Sequence, residues 1–422
     1  MTNINELTDS QMRAFDIIVE PKKKISRVTG YAGTGKTTVL AAAAKELGAE
    51  CCILTPTNKA AKVLREKGVD RAQTVHSFLY TPAEVEVYQK DKTGAVLYQK
   101  NPDGTDMMYR GEKVPLVARK EMGFSLKADP TNVPSIAIVD EASMIGKEIY
   151  QDLLATFDHI VLVGDGFQLP PVMDTDVLNL EPADISLTEV HRVALDNPII
   201  RFATQIRSGG EPDFNEYKDD NKTIGVCSIN HPKLYKSLVD NQCQAICGRN
   251  KTRHDINSKM RAALGYEPNS LLAGEEIVCL ENWREEDDYG ARSLIFYNGQ
   301  TAIVEGNYKE TGDDMIAQLV RLEKNGQKFI FPFWNKGYFN LFDARDSAWW
   351  NEYKRRQASP TEKKPLRGIK FDYSYGITAH KSQGSEYNNV AVFDERSASR
   401  GYEQRWYYTA VTRAKKRLLV IR

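Results

Sequence analysis

Apolar residues fall along this chain in short continuous runs. Each run is followed by a polar or glycine-rich turn, and then by a stretch in which apolar residues recur every three to four positions. "KISRVTG" is such a run and "KTTVLAAAAKELG", ended at Gly48, such a stretch; the pair predicts a buried strand and a helix. The layout repeats in "CCILTPT" with "NKAAKVLREKG", closed by Gly68, and the strands "SIAIVDEASM" and "HIVLVGDGFQLPPV" follow. Strands that are apolar throughout, with helices between them, belong to a parallel sheet covered on both faces. From about residue 195 the pattern restarts, with "QAICGRN" running into "KTRHDINSKMRAALG". Near the end, "FDYSYGITAHKSQGSEYNNVAVFDE" and "EQRWYYTAVTRAKKRLLVIR" complete it. The expected fold class is α/β, with two parallel-sheet cores, the second resembling a copy of the first without its glycine-rich loop.

Two segments break the pattern. Residues 81–130 alternate apolar and polar around "KTG" and "PDG", as β-hairpins do. Tyr88, Tyr98, Tyr109 and Phe124 there are candidates for stacking on bases, a contact worth ~1 to 3 kcal/mol each, and packing within the hairpin accounts for them equally. Residues 271–369 hold the strand-like runs "EEIVCL", "SLIFYNGQTAIVEG" and "KFIFPFW", then an aromatic stretch with Trp334, Trp349 and Trp350 that reads as a helical extension. The domain plan is therefore a first core from 1–80 and 131–194 with insertion 81–130, and a second core from 195–270 and 370–422 with insertion 271–369.

Length agrees: 422 residues exceed the roughly 250 to 300 at which a single core stops growing. The 57 lysines and arginines balance 57 aspartates and glutamates, so a polyanion would have to be met by a local groove. The six cysteines are scattered, and Cys243 and Cys247 lack the second pair of a zinc site, which favours reduced thiols. No stretch approaches the roughly 20 apolar residues of a membrane span, and the polar N-terminus has no apolar leader core, so a soluble, cytoplasmic protein is expected.

Candidate chemistry sits at the ends of the strands. "GYAGTGKTT" fits the G-x-x-x-x-G-K-[ST] spacing. Gly30, Gly33 and Gly35 let the backbone N–H groups converge on a phosphate at a helix N-terminus. Lys36 reaches the β and γ phosphates, and the Thr37 hydroxyl suits Mg²⁺. Asp140, at the tip of "SIAIVDE", suits a metal-bound water, and Glu141 beside it can take a proton from attacking water. "HIVLVGDGFQ" delivers Asp165 and Gln168 to the same edge, where a glutamine can sense a γ-phosphate. Arg192 in "LTEVHR" and Arg413 in "TAVTRAKK" are candidates to cross a cleft to that phosphate, although most arginines are surface charge.

In this order, "LTDSQMRAF", "GYAGTGKTT", "TPTNKAA", "TVHSFL", "VDEASM", "VGDGFQLPPV", "LTEVHR", "ITAHKSQGSEY" and "YYTAVTRAKK" resemble the helicase motifs of superfamily 1, and more closely the RecD/Dda-like group of superfamily 1B DNA helicases. The resemblance implies two RecA-like motor domains, a β-hairpin pin inserted in the first and an SH3-like β-barrel in the second. It implies an ATP site made by Gln11, which would read adenine, with Gly33, Thr34, Gly35, Lys36, Thr37 and Thr38, completed by Gly384 and Glu386 from the second core. Thr37 and Asp140 would hold Mg²⁺, Glu141 would be the general base, Gln168 would couple phosphate to DNA, and Arg192 and Arg413 would be arginine fingers. Pro56, Thr57, Asn58, Thr74, His76, Thr378 and His380 would line the single-strand path, with His76 and His380 also readable as core histidines. The implied function is an ATP-dependent DNA helicase moving 5′ to 3′ on single-stranded DNA and unwinding forked or tailed duplexes in replication, recombination or repair. It would act as a monomer, alongside single-strand-binding or replisome proteins. An RNA or RNA–DNA helicase, or a DNA-stimulated ATPase loader or clamp, remain the alternatives.

Overall fold

The computed structural model describes residues 7–89, 91, 95–127, 133–170, 180–188, 197–217, 223–267, 272–280, 283–286, 292–296, 299–311, 315–322, 328–334 and 371–422. The first core opens with α1 (Asp9–Val19), begun by a capping box in which the Thr8 hydroxyl accepts from Gln11 N and the Gln11 side chain accepts from Thr8 N. There follow β1 (Ile25–Gly30), α2 (Lys36–Leu47), β2 (Cys51–Thr55), α3 (Asn58–Glu66), β3 (Gln73–Thr74) and α4 (Val75–Leu79). An excursion through β4 (Tyr80–Tyr88), β5 (Met108–Tyr109), β6 (Glu112–Lys113) and β7 (Val117–Leu126) returns to β8 (Ile136–Val139), α5 (Lys147–Thr156), β9 (His159–Gly164) and β10 (Ile185–Leu187).

The sheet order is β10-β1-β9-β8-β2-β3, and every pair in it is parallel. Alternate residues of the central strands face two separate apolar layers. Val28, Ile138 and Val161 pack under α1 and α2, while Leu54, Val139 and Leu162 pack against Leu79, Leu153 and Phe157 on the other side. That double burial is why these strands are apolar throughout instead of alternating.

The second core contains α6 (Pro198–Arg207), β11 (Ile224–Cys227), α7 (Leu234–Asp240), β12 (Gln244–Cys247) and α8 (Asn250–Ala263). Its insertion supplies β13 (Glu276–Cys279), β14 (Trp283–Glu286), β15 (Arg292–Phe296), β16 (Thr301–Thr311), β17 (Met315–Leu322) and β18 (Lys328–Trp334). Then come β19 (Phe371–Tyr373), β20 (Gly376–Thr378), α9 (Ala379–Ser382), β21 (Tyr387–Phe393), α10 (Glu403–Val411) and β22 (Ala414–Ile421). A second parallel sheet runs β11-β22-β21-β12-β20. The α/β class and the two parallel-sheet cores expected from the periodicity are both present, consistent with the RecA-like domains that the resemblance implies.

The segment after α4 is a long antiparallel ribbon in which Tyr80 pairs with Leu126 and Tyr88 with Val117. Its distal part continues through bridges between Tyr98 and Pro115 and between Lys100 and Asp106. Tyr109 at the far end is 67% exposed, and the Lys113 ammonium lies 5.5 Å from the Tyr98 ring. The later insertion forms an antiparallel sheet, β18-β17-β16-β13-β19. Its last strand, Phe371–Tyr373, leads directly into β20 of the parallel sheet, so one stretch of chain belongs to both sheets. The stretch 335–370, which carries Trp349 and Trp350, lies outside the described residues.

Buried ion pairs fasten this antiparallel sheet to α8. The Arg261 guanidinium donates to both Glu275 oxygens, at 2.8 and 3.2 Å, and lies 4.1 Å from the Tyr373 ring. Arg253 pairs with Asp372 at 2.8 Å. All six cysteines are free thiols, Cys247 donating to backbone carbonyl oxygens of Arg249 and Ile377. Among the described residues no helix is long and apolar enough to cross a membrane.

Candidate nucleotide site and strand path

The turn between β1 and α2 is shaped by its glycines. Gly33 and Gly35 sit at φ 81° and 78°, a left-handed conformation costly to residues with a Cβ. Gly30 is needed for space: a Cβ there would lie 2.7 Å from Thr34 Oγ1 and 3.0 Å from Leu187 Cβ. Lys36 Nζ donates to Gly30 O at 2.6 Å and Tyr31 O at 2.9 Å, so the ammonium is held over the loop by the loop's own carbonyls. Thr34 is buried, its hydroxyl donating to Tyr31 O at 2.9 Å and its carbonyl accepting from Gln11 Nε2 at 3.0 Å. The Gln11 amide, expected to read adenine, here joins the capping box to the phosphate loop. Gly30→Ala should push Thr34 and Lys36 out of line. Nucleotide affinity should fall at least tenfold with the circular-dichroism spectrum unchanged, and titration with a fluorescent nucleotide checks this.

Asp140 and Glu141 follow β8 at the neighbouring strand tip. Burial, and then the charge of Glu141, push the Asp140 carboxyl well above its ordinary value, opposed by a backbone hydrogen bond and by the positive charges of Lys36 and Lys67. Glu141 adopts φ 52°, ψ 38°, a left-handed conformation that costs roughly 1 to 2 kcal/mol in a residue with a side chain. Its Oε2 is buried without a hydrogen-bond partner. An orphaned carboxylate oxygen on a strained residue is the arrangement a proton acceptor would need.

Gln168 is likewise buried, with Oε1 unpartnered. The loop that carries it is tied to the second core: Leu169 N donates to Thr409 Oγ1 at 3.1 Å, and Gln383 Nε2 donates to Leu169 O at 2.9 Å. Arg413 is buried, its guanidinium donating to Thr409 O at 3.0 Å, Ser385 O at 3.2 Å and Thr412 Oγ1 at 3.0 Å. In this arrangement it is committed to the second core's own backbone and would have to leave those acceptors to reach a phosphate. Arg192 lies outside the described residues.

Gly384, at φ 68°, brings its segment against α3 of the first core, where an added Cβ would be 3.5 Å from Ala60 Cβ. Glu386 is exposed and pairs with Lys415 at 2.9 Å. A cleft of about 740 Å³ opens here between the cores, lined by Lys59, Lys62, Gln300, Ser385, Glu386 and Tyr387.

The residues expected along a strand path share a local design. Thr57, Thr74 and Thr378 are the N-caps of α3, α4 and α9, accepting from Ala60 N at 3.2 Å, Ser77 N at 3.1 Å and Lys381 N at 3.4 Å. Thr74 and Thr378 end parallel strands and Thr57 lies two residues beyond one, so all three lie on the edge where open α/β sheets meet ligands. Pro56 and Asn58 flank the first cap. His76, exposed, and His380, half-buried, are each the second residue of a short helix, and partial desolvation lowers both imidazoles below the ordinary value.

Sequence reasoning placed Asp165 at the ligand-binding edge and gave no role to Tyr31, Arg207 and Tyr408, which meet it at the seam. Arg207, ending α6, lies with its guanidinium carbon 3.4 Å from the Tyr31 ring centroid and its Nη1 3.5 Å from Asp165 Oδ1. Tyr408 of α10 donates to Asp165 Oδ2 at 2.6 Å and accepts from Ala32 N at 3.4 Å. No spacing rule could link positions 31, 165, 207 and 408; only the docking of the cores does.

A phosphate loop on one RecA-like sheet, paired acids at the adjacent strand tip and a second sheet docked across the opening define a nucleotide-using P-loop NTPase with two cores. Residues 6–226 match the family model described as AAA domain, and residues 373–421 that of the UvrD-like helicase C-terminal domain. The chain belongs to the AAA-domain family.

An uncharacterised protein of Methanocaldococcus jannaschii is 24% identical over 95% of this chain and 37% of its own length. The ATP-dependent RecD2 DNA helicase of Deinococcus radiodurans is 32% identical over 45% of this chain and 22% of its own. The chain thus spans 37% of the first relative and 22% of the second. Among solved structures, the Bacteroides Pif1 helicase in complex with ADP-AlF3 and ssDNA aligns with TM-score 0.51 at 16% identity, over 98% of this chain and 92% of that one. The Candida albicans Pif1 helicase gives TM-score 0.51 at 16% identity, over 98% and 94%. At such identity the likeness is one of fold.

Proposed function

We propose that this chain is an ATP-dependent DNA helicase that moves 5′ to 3′ along single-stranded DNA and separates duplex DNA during replication, recombination or repair. The observation that carries the reading is the Gln168 loop. It leaves the first sheet beside the paired acids and is hydrogen-bonded through Leu169 to Thr409 and Gln383 of the second core. Chemistry at one strand tip is thereby joined to the position of the other sheet.

In this reading the loop amides and Lys36 bind the β and γ phosphates, the ammonium exchanging the carbonyls of Gly30 and Tyr31 for phosphate oxygens. Among the described residues no group of three or more His, Cys, Asp or Glu side chains could hold a metal unaided. Mg²⁺ would therefore be shared among phosphates, the Thr37 hydroxyl and the Asp140 carboxylate, its usual mode, and would offset charge developing on the phosphates. Glu141 takes the proton of the attacking water. Gln168 contributes its unpartnered oxygen, Arg192 approaches from the end of the first core and Arg413 from the second. Gln11, Gly33, Thr34, Gly35, Thr38, Gly384 and Glu386 complete the nucleotide pocket.

The cores are 1–80 with 131–194 and 195–270 with 370–422; the ribbon 81–130 is the pin and 271–369 the barrel-bearing insertion. Pro56, Thr57, Asn58, Thr74 and His76 grip the strand from the first core, and Thr378 and His380 from the second. If grip alternates as the cores close and part, each cycle yields one directed step. Both arginines come from one chain, so a monomer suffices.

Duplexes with a single-stranded tail on one end test the reading. Unwinding should start from a 5′ tail and not from a 3′ tail, and ATP turnover should rise with single-stranded DNA more than with RNA. Equal use of both tails, or of the 3′ tail alone, would remove the polarity, and preferential stimulation by RNA would favour the RNA helicase. Phosphate contacts should also make affinity fall with salt, log K declining by about 0.7 per contacted phosphate for each log unit.

A further inference from the structure

The seam contains a continuous chain of contacts from Lys36 to the second core that none of the roles above uses. Lys36 Nζ donates to Tyr31 O at 2.9 Å, and Ala32 N donates to the Tyr408 hydroxyl at 3.4 Å. That carbonyl and that N–H belong to the same peptide group, which is planar and turns as a unit. Tyr408 in turn donates to Asp165 Oδ2 at 2.6 Å. Asp165, whose side chain is wholly buried, also accepts from Phe167 N at 3.0 Å and pairs with Arg207 at 3.5 Å. Arg207 closes the circuit by stacking on the ring of Tyr31.

We propose that the Tyr31–Ala32 peptide is a lever and that Asp165, Arg207 and Tyr408 form the latch it works, so that occupation of the phosphate loop sets how firmly α6 and α10 hold the first core. The inference rests on the proposed use of ATP at this loop. A phosphate that draws Lys36 Nζ away leaves the Tyr31 carbonyl with the Thr34 hydroxyl at 2.9 Å and the Thr34 N–H at 3.4 Å as its partners, and so loosens the peptide. Turning the carbonyl necessarily turns the Ala32 N–H, and with it the contact to Tyr408. The latch itself has two discrete states for a physical reason. A buried carboxylate that loses only one of Tyr408 and Arg207 is short of a donor with no water to replace it, so the favoured states are the closed latch and one open far enough for water to replace both. Asp165, Arg207 and Tyr408 are on this account positioning residues, touching neither phosphate nor strand.

Tyr408→Phe and Arg207→Gln test the proposal, the first removing one oxygen from an otherwise unchanged ring. Hydrogen exchange is followed in peptides spanning 198–207 and 403–411, with and without ADP or a non-hydrolysable ATP analogue. In the unmodified chain nucleotide should change the protection of both helices. Each variant should bind nucleotide within about threefold of the unmodified chain and lose that change. The double variant should be no worse than either single one, since the parts act as a unit. Strand-stimulated turnover should fall at least tenfold while strand-free turnover stays within twofold, a split that a general loss of folding would not produce. Nucleotide-driven protection that persists in the variants, or that never occurs in the unmodified chain although nucleotide binds, would overturn the latch alone. An unmodified chain whose turnover ignores single strands would instead overturn the helicase reading, and the exchange data would still judge the latch.

Discussion

Glu141→Gln should bind nucleotide about as well as the unmodified chain and hydrolyse it ~10² to 10⁴ times more slowly, the usual contribution of a positioned general base. The substitution keeps size and shape, so the strained backbone at φ 52° and the packing around β8 are retained. What it removes is the ability to accept a proton at a carboxylate oxygen that is buried and unpartnered. It also removes the negative charge that helps push up Asp140. Phosphate release in a single turnover, with affinity measured separately, distinguishes lost chemistry from lost binding. A rate within threefold of the unmodified chain would exclude Glu141 as the base and leave its strain without a purpose.

Arg261→Ala should destabilise the chain by ~3 to 5 kcal/mol, the cost of stranding one member of a buried ion pair. Both side chains are almost fully buried, at 2% and 1% exposure. Glu275 would keep donors in Tyr375 Oη at 3.1 Å and Leu272 N at 2.8 Å, which places the loss toward the lower end of that range. Such a loss is still a large part of the ~5 to 15 kcal/mol by which domains are stable. Replacing both partners, as Arg261→Met with Glu275→Leu, should recover most of it, because no unpaired charge then remains. Urea unfolding followed by tryptophan fluorescence measures each variant. A single substitution costing under 1 kcal/mol would mean that water reaches this joint.

Much of the candidate site was legible because its cause is local. Glycines at 30, 33 and 35 and a lysine just behind them depend on neighbours within a few residues. The apolar strands were legible for a related reason, since a strand buried on both faces cannot alternate. The ribbon after α4 announced itself through its turns. The antiparallel sheet was less complete from sequence, because β19 joins β13 across the whole insertion while continuing into β20. Nothing in "FDY" says that its partner lies nearly a hundred residues earlier. Arg413 was singled out for its motif, yet its bonds to Thr409, Ser385 and Thr412 follow from how α10 ends, which the motif does not describe.

By itself the sequence determined which apolar runs are strands and which of them end in candidate site residues, because periodicity and glycine conformation are decided within a turn or two of chain. Only the tertiary structure decided the rest: that Asp165 is buried between Arg207 and Tyr408, that Glu141 has an oxygen without a partner, and that one peptide plane links Lys36 to the second core. Burial and long-range pairing depend on how two separately folded sheets dock. The energy of that docking is spread over residues hundreds of positions apart, none of which carries a mark of its partner.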